Sequence, residues 1–254
     1  MLGLSKDAGE KVCKLYGQIL SSVASLPEYA PIVLSWGNTL TSGMTPEMQH
    51  LCMQTTLESI SKGQGIAPED RDKMLAPAIL AAESMADLST FQAIGKMLSP
   101  AYTAPKDKMP AHTPYAGKLV SQGGMIRTSS TSRFDNPCEH WGVLEPVGGR
   151  FHTNKDKDAW VAVQLPRQAY VTGLAIIATP GNRWRLHNMK VQVSETGKDD
   201  DWQDVAQLGE CKQRVLQVDL GSTRPRAKYV RIVRVGGPEF FHLNAIYVYG
   251  EQAA

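Results

Sequence analysis

The chain has 254 residues, of which 42% are hydrophobic and 20% are charged, and its formal net charge is +2. This length allows one large domain or two small ones, each with a core large enough to fold unaided. The nearly balanced charge argues against a nucleic-acid-binding protein, which concentrates Lys and Arg well above the acids. No run approaches the ~20 apolar residues that span a bilayer, so we predict a globular chain without a membrane span.

The first residues, MLGLSKDAGEKVCKLYG, lack an apolar segment followed by a small-residue cleavage site, so no signal peptide is expected. The cysteines lie far apart and form no CxxC pair, which argues against a zinc cluster. Two lie in each half, and the alternatives are one disulfide per half or buried thiols. The cysteines are Cys13, Cys52, Cys138 and Cys211.

Residues 1–98 have the apolar spacing of amphipathic helices. The first such helix places Val12, Leu15 and Ile19 on one face. Helices that follow in LPEYAPIVLSWGNTL and TPEMQHLCMQTTLESI have a proline at or near the first helical position. We predict five helices in this half, arranged either as a small bundle or as HEAT-like helix pairs.

The last two of these helices are predicted in APEDRDKMLAPAILAAESM and DLSTFQAIGKML. Pro68 again opens the first, and Pro77 predicts a kink inside it. Pro100 begins a proline-dense stretch that cannot continue a helix. The predicted division is therefore a helical domain (1–100), a Pro-rich linker (101–118) and a second domain (119–254).

After the linker the apolar period changes from 3.6 to 2, which is typical of β-strands. Short β-branched and aromatic runs are separated by turns rich in Gly, Pro or Asp, with no helical interval. About eight strands within ~130 residues predict an all-β sandwich or jelly roll, and the whole chain is an α+β multidomain protein. The runs cover 125–130, 160–165, 171–178, 188–195, 204–209, 214–221, 228–235 and 242–250.

The order of pieces in this half resembles a discoidin-like domain, the coagulation-factor type C or galactose-binding-like jelly roll also used as a carbohydrate-binding module. The resemblance lies in FHTNKDKDAWVAVQL, in AYVTGLAII, in an arginine-bearing loop leading to NMKVQVSETG, and in the closing AKYVRIVRVGGPEFFHLNAIYVYG. It covers about 120–250. Residues 1–118 resemble no family that we recognise.

Many members of this family hold a structural calcium ion through an Asp-Gly turn before the first Trp-led strand and an acidic residue in the last strand. In this chain the turn is EPVGG, and Ala245 stands where Glu is frequent. A hard cation needs several oxygen ligands, carboxylates among them. We therefore expect no metal ion and no cofactor.

In sugar-binding members, the resemblance implies a site in the loops at one end of the sandwich. An aromatic ring there stacks on the sugar while Arg, Asn and His bond its hydroxyls. Three loops, 135–141, 181–188 and 236–241, offer such groups. The candidate ligand-binding residues are Trp184 or Trp141 as platform, Phe240 as second wall, Arg183, Asn182 and His140 as hydroxyl partners, and Glu239 as acceptor.

Structural roles are the alternatives for several of these groups. The alternative for the 181–188 loop is a simple connection between two strands, and the alternative for Trp141 is a core residue. His152 is expected to bond backbone at the edge of the sandwich, and Arg185 to form a salt bridge at the rim of the sheet.

No G-x-S-x-G, H-E-x-x-H, Walker loop or C-x-x-C-H is present, so we expect a protein that is not an enzyme. The resemblance implies a carbohydrate-binding module attached to a helical domain within a larger secreted or surface protein. Its ligand is then a glycan or glycoprotein, and its place extracellular, periplasmic or on the cell surface, with the cytoplasm left open. The alternative is a protein-interaction module whose helical domain docks a partner and whose jelly roll is a scaffold.

Overall fold

The computed structural model describes only part of the N-terminal half and nearly all of the C-terminal half. The described residues are 8, 11–12, 14–15, 18–19, 68–98, 110, 115, 117–210 and 213–253. The helices predicted in LPEYAPIVLSWGNTL and TPEMQHLCMQTTLESI, most of the linker 101–118, and Cys13, Cys52 and Cys211 lie outside the described residues.

The described positions between residues 8 and 19 are helical, but the Leu15 side chain is 58% exposed rather than on a buried face. Helix α1 (Pro68–Ser84) begins at the proline predicted to open it and runs on as one helix through Pro77. Helix α2 (Leu88–Leu98) follows a short turn. The Asp87 carboxylate accepts from the Thr90 amide at 3.1 Å and the Thr90 hydroxyl at 2.6 Å, which satisfies the first turn of α2.

The C-terminal half is built mainly from antiparallel strands, as the period-2 pattern predicts. It also contains a 3-10 helix, Pro137–Leu144, where the sequence predicted no helical interval; the Asn136 side chain caps it by accepting from the Cys138 amide. The strands are β1 (Lys118–Leu119), β2 (Met125–Thr128), β3 (Phe151–His152), β4 (Trp160–Ile177), β5 (Met189–Ser194), β6 (Gln203–Leu208), β7 (Val215–Asp219), β8 (Arg226–Arg234), β9 (His242–Leu243) and β10 (Ala245–Gln252).

Strand β4 belongs to two layers. Its first part pairs with β2 and β8, and β8 continues the layer through β5 to β6. Its second part pairs with β10 and β7, and β1 pairs with β10 at the edge. A register shift between Gln164 and Ala169 separates the two parts. This arrangement fits a discoidin-like β-sandwich.

The main core lies between these layers and is made mostly of aliphatic side chains from β4, β5, β8 and β10. Alternate residues of β4, such as Val161 and Val163, point into it with no measurable exposure. On the other face of the second part of β4, Ala175 and Ile177 pack with Tyr247 and Tyr249. The second part of β4 is therefore buried on both faces.

The two helices α1 and α2 pack against the sandwich through a second apolar cluster. Buried Leu75, Ile79 and Ile94 of the helices share it with Met125 of β2 and with Cys138. Cys138 carries a buried thiol that donates to the Asp72 carbonyl at 3.1 Å. The helical bundle or HEAT-like arrangement of residues 1–100 stays a prediction, as do the domain boundaries.

Candidate functional site

A group of loops meets at the end of the sandwich where the short strands β3 and β9 pair. The amide of Thr153 donates to the carbonyl of Phe241 at 2.9 Å, and the Phe241 amide donates to the Thr153 hydroxyl at 3.0 Å. Beyond this pair, Asp156 and Glu239 form a backbone bridge. These bonds hold the loop after β3 against the loop before β9.

Four rings from three of these loops and from β3 form what we call the aromatic cluster: Phe134, His152, Trp184 and Phe240. The Phe134 and Phe240 rings meet edge to face with centroids 6.1 Å apart, and the His152 ring lies 5.0 Å from Phe240 and 5.7 Å from Phe134. Phe134 is 52% exposed and Trp184 is 54% exposed. Large rings this open at a loop junction are available for contact with a ligand.

Arg185 joins Trp184 to the rest of the cluster. Its guanidinium carbon lies 4.9 Å from the Trp184 ring centroid and 5.3 Å from that of Phe240. Both distances are in the range of cation–π attraction. The buried Nε of Arg185 has no hydrogen-bond partner among the described residues. The expected salt bridge of Arg185 at the sheet rim is not among the ion pairs of the described residues.

Two more cations lie on the cluster. The Arg133 guanidinium carbon is 4.8 Å from the Phe134 centroid, and the Lys155 ammonium is 5.3 Å from the Phe240 centroid. Among the described residues, neither takes part in an ion pair. We call Arg133, Lys155 and Arg185 together the cation set.

Below the cluster, His152 stacks on His242 with centroids 4.9 Å apart and an interplanar angle of 10°. Burial first, then the nearby His152 and the positive charges of Arg185 and Arg150, lower the pKa of His242 to about 3. Burial also lowers the pKa of His152. Both rings are therefore neutral at pH 7.

The tautomer of His152 follows from its neighbours. Its Nδ1 lies 2.9 Å from the Thr153 carbonyl oxygen and 2.9 Å from the Ser132 hydroxyl oxygen. Because a carbonyl can only accept, Nδ1 carries the proton and Nε2 is the acceptor of the neutral ring. The backbone bond expected for His152 is thus present, and its other nitrogen can accept from a ligand hydroxyl.

The 181–188 loop is held from beneath by a buried arginine. Arg234 of β8 donates to the Gly237 carbonyl at 3.0 Å, and its other terminal nitrogen lies 3.1 Å from Nε2 of His187. The arginine can only donate, so Nε2 accepts and the proton on Nδ1 is directed to the Trp184 carbonyl, 2.9 Å away. Asn188 closes the loop in a left-handed conformation with φ of 48°, which asparagine tolerates better than most residues.

The structure brings part of the sequence-predicted set together. Trp184 and Phe240 share Arg185, and Asn182 and the exposed Arg183 lie in the same loop as Trp184. Glu239 precedes Phe240, and its carboxylate accepts from the Phe240 amide at 3.0 Å. These five residues remain candidates for ligand binding.

His140 and Trp141 are not candidates for ligand binding, because neither side chain contacts the aromatic cluster. His140 is fully buried, and its two ring nitrogens donate to Glu83 at 2.6 Å and to Asp135 at 2.8 Å. Trp141 packs on Gly95 of α2 and lines a separate cleft of about 410 Å³. Neither side chain therefore contacts Trp184, and Trp141 is half-buried against the apolar cluster shared with the helices.

Sequence reasoning missed the cation set and Phe134. The signal in the sequence is the pair Arg133–Phe134, a cation beside a large ring in a polar loop, TSRFDNP. For Arg185 the signal is its place after Trp184. Neither pair shows by itself that its loop lies beside Phe240. That contact depends on the pairing of β3 with β9, because β9 directly follows the loop that carries Phe240.

Among the described residues, no group of three or more His, Cys, Asp or Glu side chains could hold a metal ion. In the described part of the chain, no helix is long and apolar enough to cross a membrane.

No protein-family model and no curated protein matches this chain. Several solved lectin and carbohydrate-binding structures are similar to its C-terminal half, where the sequence resembles a discoidin-like domain. Fucolectin from striped bass (Morone saxatilis) serum is 16% identical, with 56% of this chain and 50% of that chain covered and a TM-score of 0.47. The lectin domain of lectinolysin, complexed with Lewis B antigen, is 20% identical over 54% of this chain and 98% of that chain, with a TM-score of 0.43.

A family 32 carbohydrate-binding module of NanJ from Clostridium perfringens, in complex with galactose, is 17% identical, with 52% of this chain and 96% of that chain covered and a TM-score of 0.43. These similarities lie in the C-terminal half of the chain. At these identities and TM-scores they assign neither a ligand nor a binding residue to this chain.

Proposed function

We propose that the C-terminal half is a glycan-binding module whose site is the aromatic cluster. The observation that carries the proposal is the exposure of Trp184 and Phe134, with Phe240 in contact with Phe134 and the Arg185 guanidinium close to the rings of both Trp184 and Phe240. A pyranose has an apolar C–H face and a rim of hydroxyls. It therefore needs an open ring beside polar groups held in fixed positions.

The polar groups of this site suit hydroxyl recognition. The half-buried Arg185 forms no ion pair among the described residues, and the neutral His152 has an acceptor at Nε2. Asn182, Arg183 and Glu239 complete the proposed set. Because Arg234 supports the 181–188 loop through His187, the backbone that carries Asn182, Arg183 and Arg185 is ordered before a ligand arrives, which reduces the entropy lost on binding.

Within this proposal the module is non-catalytic and holds the protein on its glycan. We assign it, with its helical domain, to a larger protein that is secreted or displayed at a cell surface. The support is the resemblance of residues 120–250 to discoidin-like modules and the lack of a catalytic motif in the sequence.

The test is a glycan array probed with the full chain, followed by calorimetric titration of the best hit. Trp184→Ala should lower the affinity about tenfold or more, because it removes the stacking platform. The matched control is Tyr170→Ala, which removes a ring 42% exposed on β4. Tyr170 pairs with Arg226, at the opposite end of β8 from Arg234, so this variant should bind as the wild type does.

Each result has a defined reading. Loss of binding in Trp184→Ala alone supports the cluster as the site. Equal loss in both variants, with circular dichroism unchanged, places the ligand elsewhere and overturns the site. Absence of binding to every glycan on the array by the folded wild-type chain overturns the function itself.

A further inference from the structure

Around the aromatic cluster, the basic side chains form no ion pairs in the described part of the chain, whereas the acidic side chains accept hydrogen bonds from the protein. The exposed Arg133, Lys155 and Arg183 and the half-buried Arg185 form no ion pair among the described residues. All three members of the cation set lie over rings that are themselves candidates for ligand contact: Arg133 over Phe134, Lys155 over Phe240 and Arg185 over Trp184. Positive charge is therefore present where a ligand would stack.

The acidic side chains of the same loops accept hydrogen bonds from other groups of the protein. Asp135 accepts from buried His140, and the Asp156 carboxylate accepts from the Ser129 hydroxyl at 2.7 Å. Asp158 accepts from the Gly236 amide at 2.9 Å. None of these carboxylates, nor that of Glu239, forms an ion pair with the cation set among the described residues.

Arg185 is the member best suited to an anion. Its guanidinium carbon lies within cation–π distance of two rings, and the side chain forms no ion pair among the described residues. A carboxylate or sulfate can take two parallel N–H bonds from one guanidinium, a geometry that a single hydroxyl does not match. The neutral histidines beneath it fit this picture, because the nearby positive charges of Arg185 and Arg150 contribute to the lowered pKa of His242 after burial.

We propose that the ligand of this site is an acidic glycan, one that carries a carboxylate or a sulfate held by Arg185 with Arg133 and Lys155 close by. The inference rests on the proposed glycan-binding function and adds the chemical class of the ligand. Sugar carboxylates and sugar sulfates share this recognition chemistry, and the experiment separates them.

The experiment compares glycans that differ only by an acidic group: lactose, sialyllactose and 6′-sulfolactose, each immobilised on beads and each titrated in solution. The wild-type chain should bind at least one acidic member about tenfold more tightly than lactose, the increment expected for one charge-assisted bidentate contact. Raising NaCl from 50 to 300 mM should weaken the acidic member and leave the neutral one unchanged, because salt screens only the charged contact.

Arg185→Gln should lower the affinity for the acidic member about tenfold and bring it to that of lactose. The matched control is Arg167→Gln, which removes an exposed arginine from the β4 region where the register shifts, away from the cluster. Equal binding of neutral and acidic members, with loss of both in Trp184→Ala, overturns the acidic class and leaves the glycan-binding function standing. Binding of none of the three, together with an array without hits, overturns the function itself.

Vesicles containing 20% phosphatidylserine form a last arm. Binding to these vesicles that Arg185→Gln removes, without binding to any acidic glycan, assigns the patch to anionic lipid and overturns the proposal. If Arg185→Gln does not change vesicle binding, lipid does not use this arginine. Together with acidic-glycan binding that Arg185→Gln lowers, that result supports the proposal.

Discussion

His140 is a fully buried cation held between two acids. Burial by itself would lower its pKa, but Glu83 and Asp135 outweigh burial and raise the pKa of His140 to about 10. Glu83 belongs to α1, and Asp135 directly follows Phe134 of the aromatic cluster. This ion pair therefore connects the helical segment to a loop of the candidate site.

The raised pKa predicts how stability depends on pH. The folded state keeps a proton on His140 that the unfolded state loses above about pH 6.5, so the stabilisation is complete below that pH and disappears as pH rises through about 10. Between these pH values, the His140 proton makes the free energy of unfolding fall by about 1.4 kcal/mol per pH unit in the wild type. His140→Gln should remove this contribution to the slope. Urea denaturation at pH 6.5, 8 and 9.5 measures it.

The control for that variant is Ala93→Ser, at an exposed α2 position without a titratable side chain, which should keep the wild-type slope. The His140 variant should also be less stable at pH 6.5, because Glu83 and Asp135 are left buried without their partner. Equal slopes in the wild type and the His140 variant would contradict the assignment.

His242 predicts a dependence of the opposite sign. Its pKa is lowered to about 3, so its contribution is complete above about pH 6.5 and is lost as pH falls toward 3. His242→Phe retains a flat ring against His152 and cannot be protonated. Thermal unfolding between pH 6.5 and 4.5 should therefore show a smaller fall in Tm for this variant than for the wild type. An equal fall in Tm in the wild type and the variant would contradict this role of His242 in the loss of stability at acidic pH.

Residue types alone did not separate ligand groups from structural ones. Trp184 and Trp141, or His152 and His140, look equivalent in the sequence, each in a polar loop beside the predicted strands. In the structure Trp184 is 54% exposed, while His140 has no exposed surface. The difference arises from Glu83, a residue distant in the chain, whose carboxylate makes the burial of His140 tolerable.

At the scale of elements, the 181–188 loop depends on a relay from β8. Arg234 donates to His187, and His187 donates to the Trp184 carbonyl. His187→Ala should therefore loosen the loop without unfolding the sandwich. Hydrogen exchange followed by mass spectrometry should show faster exchange in 182–188 and unchanged exchange in β6. Unchanged exchange in 182–188 would mean that the backbone turn, with the Leu186 amide on the Arg183 carbonyl, is sufficient.

The strand pattern was largely predictable, but the predicted run 242–250 is two strands, β9 and β10, and the short strands β1 and β3 were not predicted. Two other predicted runs form a single strand. The sequence predicts separate strands over 160–165 and 171–178, because Pro166 and its polar neighbours are typical of a turn. The structure has one strand, β4, from Trp160 to Ile177. A proline is tolerated there because the pairing with β8 shifts register between Gln164 and Ala169, so Pro166 needs no ladder bond to that strand.

At the scale of the whole molecule, α2 and the sandwich share apolar contacts. Ile94 is 1% exposed in the cluster that also contains Met125 and Cys138. Ile94→Ala should lower the free energy of unfolding by about 2–5 kcal/mol, the range for removing a large buried aliphatic group. Chemical denaturation measures it, with the exposed α2 position Ala93→Ser as control.

Two probes report on that shared core. Far-UV circular dichroism follows the helices, and tryptophan fluorescence includes Trp141, which packs on the same cluster. Coincident transitions in both are expected if the helices and the sandwich unfold together. Loss of the circular dichroism signal well before the fluorescence change would show that α2 is stabilised apart from the sandwich.

The sequence by itself determined the change from the helices of residues 68–98 to the strand-rich half, the positions of most strands, the proline that opens α1 and the tryptophan of the 181–188 loop. These features depend on local periodicity and backbone chemistry, which neighbouring residues carry. The tertiary structure decided which groups meet: Phe134 and Arg133 with Phe240 and Lys155, and Arg185 between two rings. The reason is that a ligand site and a buried ion pair are contacts between segments far apart in the chain, and only strand pairing and packing bring such segments together.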